Sequence, residues 1–280
     1  MQKQITGNST ESILYEMVEK LKAANVEEPQ GNYFESEAWH NKLLKKAELY
    51  NSVKGNLGYF NCTKCNNKGV IQYITDDWNE SCKTCDCMRI RNCYQAMSKS
   101  GITEDMIKRF TFESFKVMED YQALMIGTAK RFAVSDLSGW LYIGGQSGSG
   151  KTHLCTATAK YLLGKGHDVK YVLWHDFARK TQALKFKLEE YDAYIRSVAD
   201  AEVLYIDDLF KADKSTDAAF ELINQRYISR KPTIISSELF VSDITKMDEA
   251  LGSRITEMSR DYCALIGKEA GRNYRNKGKD

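Results

Sequence analysis

A glycine-rich octapeptide carries the clearest chemical signal in the sequence. Its residues are Gly145, Gln146, Ser147, Gly148, Ser149, Gly150, Lys151 and Thr152. They match the pattern G-x-x-x-x-G-K-[ST] at every fixed position. Glycines let successive backbone N–H groups point at phosphate oxygens, and a helix start adds its positive end. The lysine of such a loop reaches the β- and γ-phosphates and the threonine hydroxyl holds Mg²⁺, so the octapeptide predicts a site for ATP and Mg²⁺.

Two adjacent carboxylates, Asp207 and Asp208, follow the apolar run Val203–Ile206. A phosphate-binding loop needs an acidic residue for its metal at the end of a neighbouring strand. We therefore expect Asp207 to belong to the Mg²⁺ site and Asp208 to orient or deprotonate the attacking water. Without the octapeptide, a helix cap or a turn residue would be the simpler interpretation of either aspartate.

The cysteines are concentrated in one short segment. Six of the eight lie there, namely Cys62, Cys65, Cys82, Cys85, Cys87 and Cys93. Two Cys-x2-Cys pairs starting at Cys62 and Cys82 fit a zinc-ribbon spacing, while Cys85-x-Cys87 is a competing second pair. Tetrahedral Zn²⁺ takes four such thiolates, and cysteines buried as small hydrophobic residues would not cluster in this way. The spacing predicts Zn²⁺ but leaves the four ligands open.

Composition limits the classes of protein. Lys and Arg number 40 and Asp and Glu number 38, which gives a net charge of +2. So small a net charge does not by itself indicate a nucleic-acid or membrane partner. With 42% hydrophobic and 28% charged residues, the chain is typical of a folded protein. No apolar run approaches the roughly 20 residues of a membrane helix, and the first residues lack a signal-peptide core. We expect a cytoplasmic protein whose cysteines are thiols or metal ligands.

From Trp140 onward, short apolar runs alternate with amphipathic stretches. The runs are Trp140–Ile143, Val169–Trp174, Val203–Ile206, Thr233–Ser236 and Tyr262–Ile266. Alternating strands and helices predict an α/β domain whose parallel sheet is covered on both faces. The first strand leads into the octapeptide and the third leads into the two aspartates. One sheet is therefore expected to position both the octapeptide and the aspartates.

The upstream sequence is predominantly helical in pattern. Apolar residues recur at helical spacing over 13–21 and from about Glu35 to Val53. These helices either pack as a hairpin or form an arm that binds a partner. We divide the chain into a helical region over 1–58, a zinc-binding module over 59–98, a helical linker over 99–138 and an ATPase domain over 139–280.

The octapeptide, Ile206-Asp207-Asp208 and Gly252-Ser253-Arg254 together resemble the DnaC/DnaI-type replicative helicase loaders, especially phage members of that AAA+ family. The similarity covers roughly residues 60–280 and implies an AAA+ P-loop NTPase core. The Cys-x2-Cys…Cys-x-Cys pattern resembles the zinc module of the DnaI-like branch. On that basis the predicted Zn²⁺ ligands are Cys62, Cys65, Cys85 and Cys87, with Cys82 as the substitute.

The resemblance implies roles for three further residues. Arg254 becomes the arginine finger that reaches a neighbouring subunit's nucleotide, and Arg275 becomes the sensor-2 arginine. Glu238 takes the sensor-1 position, where asparagine is common, and an ionised carboxylate cannot donate a hydrogen bond. Asp208 stands where many AAA+ proteins carry glutamate. These two departures bear on the rate of hydrolysis more than on nucleotide binding.

The resemblance also implies partners. The N-terminal region would grip a replicative DNA helicase, while the AAA+ domain would self-associate with ATP and engage single-stranded DNA. We expect the segment Phe210–Thr216 to contact the strand, because it combines an aromatic ring with two lysines. An IstB-like transposition helper and a nucleotide-switched adaptor with little turnover are the alternatives. A small-molecule kinase fits less well, because no lid or acceptor-site signature is evident.

Overall fold

A computed structural model describes residues 37–269 and 272–273 of the chain. The chain divides into two compact units, Met1–Met88 and Arg89–Asp280. The helix predicted over 13–21 and the predicted sensor residue Arg275 lie outside the described residues. Within the described ranges, no helix combines the length and the apolar character needed to cross a membrane.

The described part of the first unit is a helix and a hairpin. Helix α1 spans Glu37–Ser52, and strands β1 (Val70–Ile74) and β2 (Glu80–Thr84) pair antiparallel. The side chain of Asn51 fastens α1 to the hairpin, donating to the Gln72 carbonyl at 2.8 Å and accepting from the Gln72 N–H at 3.0 Å. The hydrophobic cluster of this unit is formed by Cys65, Cys85 and Cys87, and Leu43 and Ala47 of α1 are also buried. So small a core supplies little stability by packing alone.

In the second unit, three helices precede a parallel sheet. Helix α2 (Cys87–Lys99), which starts at the end of the first unit, is followed by α3 (Glu104–Arg109) and α4 (Asp120–Ala133). The strands are β3 (Trp140–Gly145), β4 (Val169–Leu173), β5 (Val203–Leu209), β6 (Thr233–Ser237) and β7 (Cys263–Ile266). They are all parallel, in the order β4-β5-β6-β3-β7, which confirms the predicted α/β class.

The helices that connect the strands cover both faces of the sheet. They are α5 (Lys151–Lys165), α6 (Trp174–Leu184), α7 (Leu188–Ala199), α8 (Thr216–Ile228), α9 (Val241–Met247) and α10 (Glu249–Met258). Strand β3 shows why its sequence is apolar throughout. Leu141 and Ile143 enter one hydrophobic core, while Trp140 and Tyr142 enter the other. Successive side chains of a strand point to opposite faces, so a strand covered on both faces has no polar side.

Strand β5 is longer than the sequence predicted. The strand continues to Leu209 and includes Asp207 and Asp208, which were expected to follow it. Its register against β6 shifts between Ile206 and Leu209, and Asp208 has a φ of +55°. A bulge of this kind bends the strand and redirects a side chain. The irregularity therefore gives the two adjacent aspartates different environments.

The strand order brings the predicted site together. Strand β6 lies between β5 and β3, so its last residues are flanked by the octapeptide on one side and the two aspartates on the other. Ligands of open parallel sheets bind outside the carboxyl ends of the strands. The fold thus converts three separate sequence segments into one edge.

Candidate functional site

The octapeptide forms a tight turn between β3 and α5 that requires glycine. Gly145 has a φ of +118°, and a Cβ atom there would lie 2.0 Å from the carbonyl oxygen of Ile266. Gly150, with a φ of +98°, precedes the first residue of α5. Other residues rarely adopt such angles. The loop is therefore wrapped closely around the start of the helix, as binding of phosphate to backbone N–H groups requires.

Two polar side chains of this loop are buried. The ammonium group of Lys151 donates to the carbonyl oxygens of Gly145 at 2.9 Å and Gln146 at 2.8 Å. Burial lowers the pKa of Lys151, against the opposing effect of Glu238 and Asp208. The hydroxyl group of Ser149 has no hydrogen-bond partner among the described residues. A buried hydroxyl without a partner needs one, so the loop fits a bound phosphate.

Asp207 is the buried acid of the site, with 3% of its surface exposed. Ser236 donates to its Oδ1 at 2.5 Å and the hydroxyl of Tyr171 donates to its Oδ2 at 3.1 Å. Burial and the neighbouring Asp208 raise the pKa of Asp207. The Thr152 hydroxyl lies 3.4 Å from Oδ1. A carboxylate beside the threonine of the loop is the pair with which P-loop ATPases hold Mg²⁺, so the residues present fit that ion.

Asp208 faces a different group. Its N–H donates to the Ser236 hydroxyl at 2.9 Å, and its Oδ2 lies 2.9 Å from the ammonium nitrogen of Lys211. The same nitrogen lies 3.3 Å from Oε1 of Glu238. Burial would raise the pKa of Glu238, but Lys211, with Ser147 and Lys151, lowers it. The ion pair of Lys211 with Glu238 was missed in the sequence, because Glu238 follows another strand.

One cavity of about 720 Å³ is lined by the loop from Ser147 to Thr152 and by Asp207, Asp208, Lys211 and Glu238. The segment before β3 supplies a part of the lining that the sequence did not predict. Its residues are Ser100, Gly101, Ile102, Met106, Arg109, Phe110, Ser114, Phe115, Lys116 and Gln122. The rings of Phe110 and His153 stack with centroids 4.5 Å apart, and Phe115 meets His153 edge-on. Aromatic and apolar walls beside a phosphate loop suit a nucleoside. The two nearby aromatic residues Phe110 and Phe115 were the signal available in the sequence.

Arg254 does not join this cavity. On α10, its Nε donates to Oδ1 of Asn224 at 3.0 Å and its guanidinium lies over the rings of Phe220 and Tyr227, at 5.0 and 5.5 Å. None of these residues lines the cavity around Lys151. A role for Arg254 at a nucleotide therefore requires a second subunit.

The expected DNA contact at Phe210 is wrong. Phe210 is only 3% exposed, and its ring packs edge-on against Trp174 with centroids 5.3 Å apart. The strand bulge and the following turn direct it into the core between the sheet and α6. A buried ring cannot stack on a base. In the same segment, Lys211 contacts carboxylates of the cavity.

The cysteine cluster lies in the first unit. The sulfur atoms of Cys62, Cys65, Cys85 and Cys87 all lie within 4.8 Å of one another, with Cys62–Cys85 at 3.8 Å and Cys65–Cys87 at 3.6 Å. Zn–S bonds of about 2.3 Å in a tetrahedron place sulfurs about 3.8 Å apart. The four thiols therefore fit Zn²⁺. Cys82 is exposed on β2 and is not part of the cluster.

The environments of two cysteines differ in the way a metal site requires. Burial raises the pKa of Cys65, but the N–H of Gly69, 3.3 Å from the sulfur, and the neighbouring thiols outweigh it, so the pKa falls to about 7. Burial raises the pKa of Cys93 to about 12, and Cys93 lies in a core of the second unit. In the cysteine cluster, burial also raises the pKa of Cys85. Thiolates bind metal, so Cys65 suits this role and Cys93 does not.

Comparisons with known proteins show which proteins the chain is similar to. The family described as the bacterial DnaA ATPase domain matches residues 106–258. The chain is 34% identical over 209 residues to the uncharacterized protein YqaM of Bacillus subtilis (strain 168), covering 68% of this chain and 65% of YqaM. It is 30% identical over 227 residues to the phage-like element PBSX protein XkdC of the same strain, covering 74% of this chain and 82% of XkdC. A crystal structure of the DnaC helicase loader aligns with a TM-score of 0.46 at 24% identity, over 57% of this chain and 99% of that one.

Proposed function

The chain belongs to the bacterial DnaA ATPase-domain family and is an AAA+ ATPase, and we propose that it uses ATP to load a replicative DNA helicase onto single-stranded DNA. One observation carries the proposal. Lys151, Asp207, Asp208 and Glu238 converge on a single cavity, while Arg254 lies outside it. We infer that Arg254 acts at the nucleotide of a second subunit, and helicase loading requires such an assembly.

Each residue of the cavity has a proposed role in hydrolysis. The N–H groups of the loop and the ammonium group of Lys151 bind the phosphates. Thr152 and Asp207 would hold Mg²⁺, which neutralises phosphate charge when bound. Asp208 orients the attacking water or accepts its proton. Glu238 faces the same end of the cavity and, together with Asp208, contacts Lys211.

We assign Zn²⁺ a structural role in the first unit. The cluster of Cys62, Cys65, Cys85 and Cys87 is the core of that unit, and metal binding to such a cluster contributes directly to folding. The helical region that precedes it, over 1–58, is our proposed binding site for the helicase. A unit whose fold is stabilised by its own metal site can present such a surface while the ATPase unit binds and hydrolyses ATP.

We place the DNA contact on the turn between α6 and α7. Phe186 is 94% exposed there, and exposed lysines, Lys185 and Lys187, flank it. Aromatic rings stack on bases and cations bind the backbone without selecting a sequence. This turn offers an exposed aromatic ring, which the buried Phe210 does not.

The similarity to XkdC, which is named for a phage-like element, supports a place among phage-borne members of the group.

Co-purification tests the loader proposal. The full-length protein, mixed with a replicative helicase from its host, should form a stable complex on size exclusion. With ATP, the complex should transfer the helicase to circular single-stranded DNA. Lys151→Ala should still bind the helicase but should not complete the transfer. A protein that hydrolyses ATP but binds no helicase with ATP, with ADP or without nucleotide would contradict the loader role and leave the family assignment intact.

A further inference from the structure

Lys211 links two carboxylates that come from different strands. Its ammonium nitrogen lies 2.9 Å from Oδ2 of Asp208, in β5, and 3.3 Å from Oε1 of Glu238, which follows β6. The lysine side chain is 43% exposed and lines the same cavity as Lys151. Burial lowers the pKa of Lys211, but Asp208 and Glu238 outweigh that effect and raise it. The cation thus bridges the acids at the phosphate end of the site.

The backbone around Lys211 is built to hold it there. The N–H of Lys211 donates to the carbonyl oxygen of Asp208 at 2.9 Å, which closes a tight turn. Asp208 and Phe210 have φ angles of +55° and +63°, conformations that cost free energy for residues other than glycine. The buried ring of Phe210 and the hydrogen bond from Trp174 to the Asp213 carbonyl, at 2.7 Å, fasten the turn. With Phe210 in the core, the next side chain is directed to the cavity.

The charges in the cavity explain what the cation does. Asp207, Asp208 and Glu238 all line the space that would receive the anionic phosphates of ATP. Like charges at this distance repel one another and separate unless a cation lies between them. Lys151 donates to carbonyl oxygens of its own loop. Among the described residues, Lys211 is the cation that contacts Asp208 and Glu238 directly.

We propose that Lys211 is a positioning residue of the ATPase site, which holds the carboxylates of Asp208 and Glu238 together so that Asp208 faces the attacking water. The inference rests on the role proposed for Asp208. Lys211 acts through that carboxylate and not on the reacting atoms. It therefore affects the rate of hydrolysis more than the binding of ATP, which depends on Lys151 and the loop.

Three variants separate this role from an ordinary surface ion pair, which contributes little. Lys211→Ala removes the cation, and Lys211→Arg keeps it. Lys246→Ala is the control, because Lys246 pairs with Asp243 on the surface, at 3.6 Å, and does not line the cavity. The measurements are the dissociation constant for ATP, the kcat of ATP hydrolysis, the binding of a single-stranded oligonucleotide and the thermal unfolding midpoint.

Lys211→Ala should lower kcat about tenfold or more, because small displacements of a reacting group have large effects on rate. The dissociation constant for ATP should rise by less than that factor. Lys211→Arg should recover most of the rate, and Lys246→Ala should match the wild type. The unfolding midpoint shows whether Lys211→Ala folds. If it does not fold, Lys211→Arg is compared with the wild type instead, and it should retain both activity and ATP binding.

Three results would overturn the proposal. One is a Lys211→Ala protein whose kcat equals that of an active wild-type protein. That result would contradict the role of Lys211 but not the assignment of the ATPase site. Another is loss of oligonucleotide binding with unchanged kcat, which would assign Lys211 to a DNA path. A folded wild-type protein that hydrolyses no ATP would overturn the proposed chemistry together with this inference.

Discussion

The hydroxyl group of Ser236 lies 2.5 Å from Oδ1 of Asp207. The hydroxyl oxygen of Ser236 also accepts the N–H of Asp208, at 2.9 Å. One serine of β6 therefore holds the side chain of the first acid and the backbone of the second. Strand β6 lies between β5, which carries the two acids, and β3, which leads into the phosphate loop. The contacts of Ser236 therefore join β5 to the strand beside β3. The nucleotide site depends on the middle strand as much as on the two that flank it.

Replacing Ser236 should test that relationship. Ser236→Ala leaves the buried Asp207 with one donor fewer, and a buried group that loses its partner costs about 1–3 kcal/mol of stability. We expect a lower unfolding midpoint. Adding Mg²⁺ to ATP should also raise the midpoint less in the variant than in the wild type. Ser237→Ala is the matched control, because the equally buried Ser237 hydroxyl donates to the Leu209 carbonyl at 2.8 Å. Equal dependence on Mg²⁺ in both variants would contradict the role of Ser236.

Much of the fold was predictable because local pattern determined it. Strands β3, β5 and β6 are almost entirely buried, while the edge strands β4 and β7 are partly exposed. Apolar runs in the sequence marked all five. The octapeptide could be assigned from sequence because its function needs glycine at fixed backbone angles. Helix α7 was not predicted. Its exposed face and the turn at Phe186 interrupt the apolar pattern between β4 and β5.

The rest of the site depends on contacts between distant residues. Phe210 resembles an exposed loop aromatic in sequence, and only Trp174, on α6, shows that it belongs to the core. Lys211 is paired by Glu238, which follows another strand. The wall formed by Phe110 and Phe115 requires His153, on the first helix after the loop. None of these pairings leaves a periodic signal along the chain.

One Zn²⁺ per chain should be found in protein purified without chelator. Cys65→Ser should lose the metal and destabilise the first unit, because the remaining thiols cannot complete a tetrahedron. Cys82→Ser is the control and should keep the metal, since Cys82 is exposed and outside the cluster. Elemental analysis measures both. Metal-free wild-type protein, or loss of the metal in Cys82→Ser alone, would refute the predicted ligands.

Arg254 should act on the nucleotide of a neighbouring subunit. Arg254→Ala should bind ATP almost normally but lose stimulated hydrolysis, for which such arginines contribute factors of about 10³ or more. Lys151→Ala should lose ATP binding yet keep its arginine. A mixture of the two inactive variants should regain activity, because each supplies the part that the other lacks. If no ratio of the two restores hydrolysis while wild type is active, the shared site is wrong.

Strand binding should depend on the turn between α6 and α7. Phe186→Ala should weaken binding of an oligonucleotide by about 1–3 kcal/mol, the range measured for base stacking on aromatic rings. Val134→Ala is the control, since Val134 is also an exposed apolar residue, at 70%, but has no aromatic face. Fluorescence anisotropy at fixed salt measures both. Binding that is unchanged in Phe186→Ala would place the DNA path elsewhere.

The most direct test of the account is calorimetry of ATP binding to Lys151→Ala. The buried ammonium group of Lys151 donates to two carbonyl oxygens of the loop. A lysine at this position of a phosphate-binding loop is expected to reach the β- and γ-phosphates. The wild-type protein should bind one ATP per chain in the presence of Mg²⁺. The variant should keep its fold, as judged by its unfolding midpoint, and show no measurable heat of binding. ATP binding of wild-type affinity in a folded Lys151→Ala protein would show that the cavity described here is not the nucleotide site.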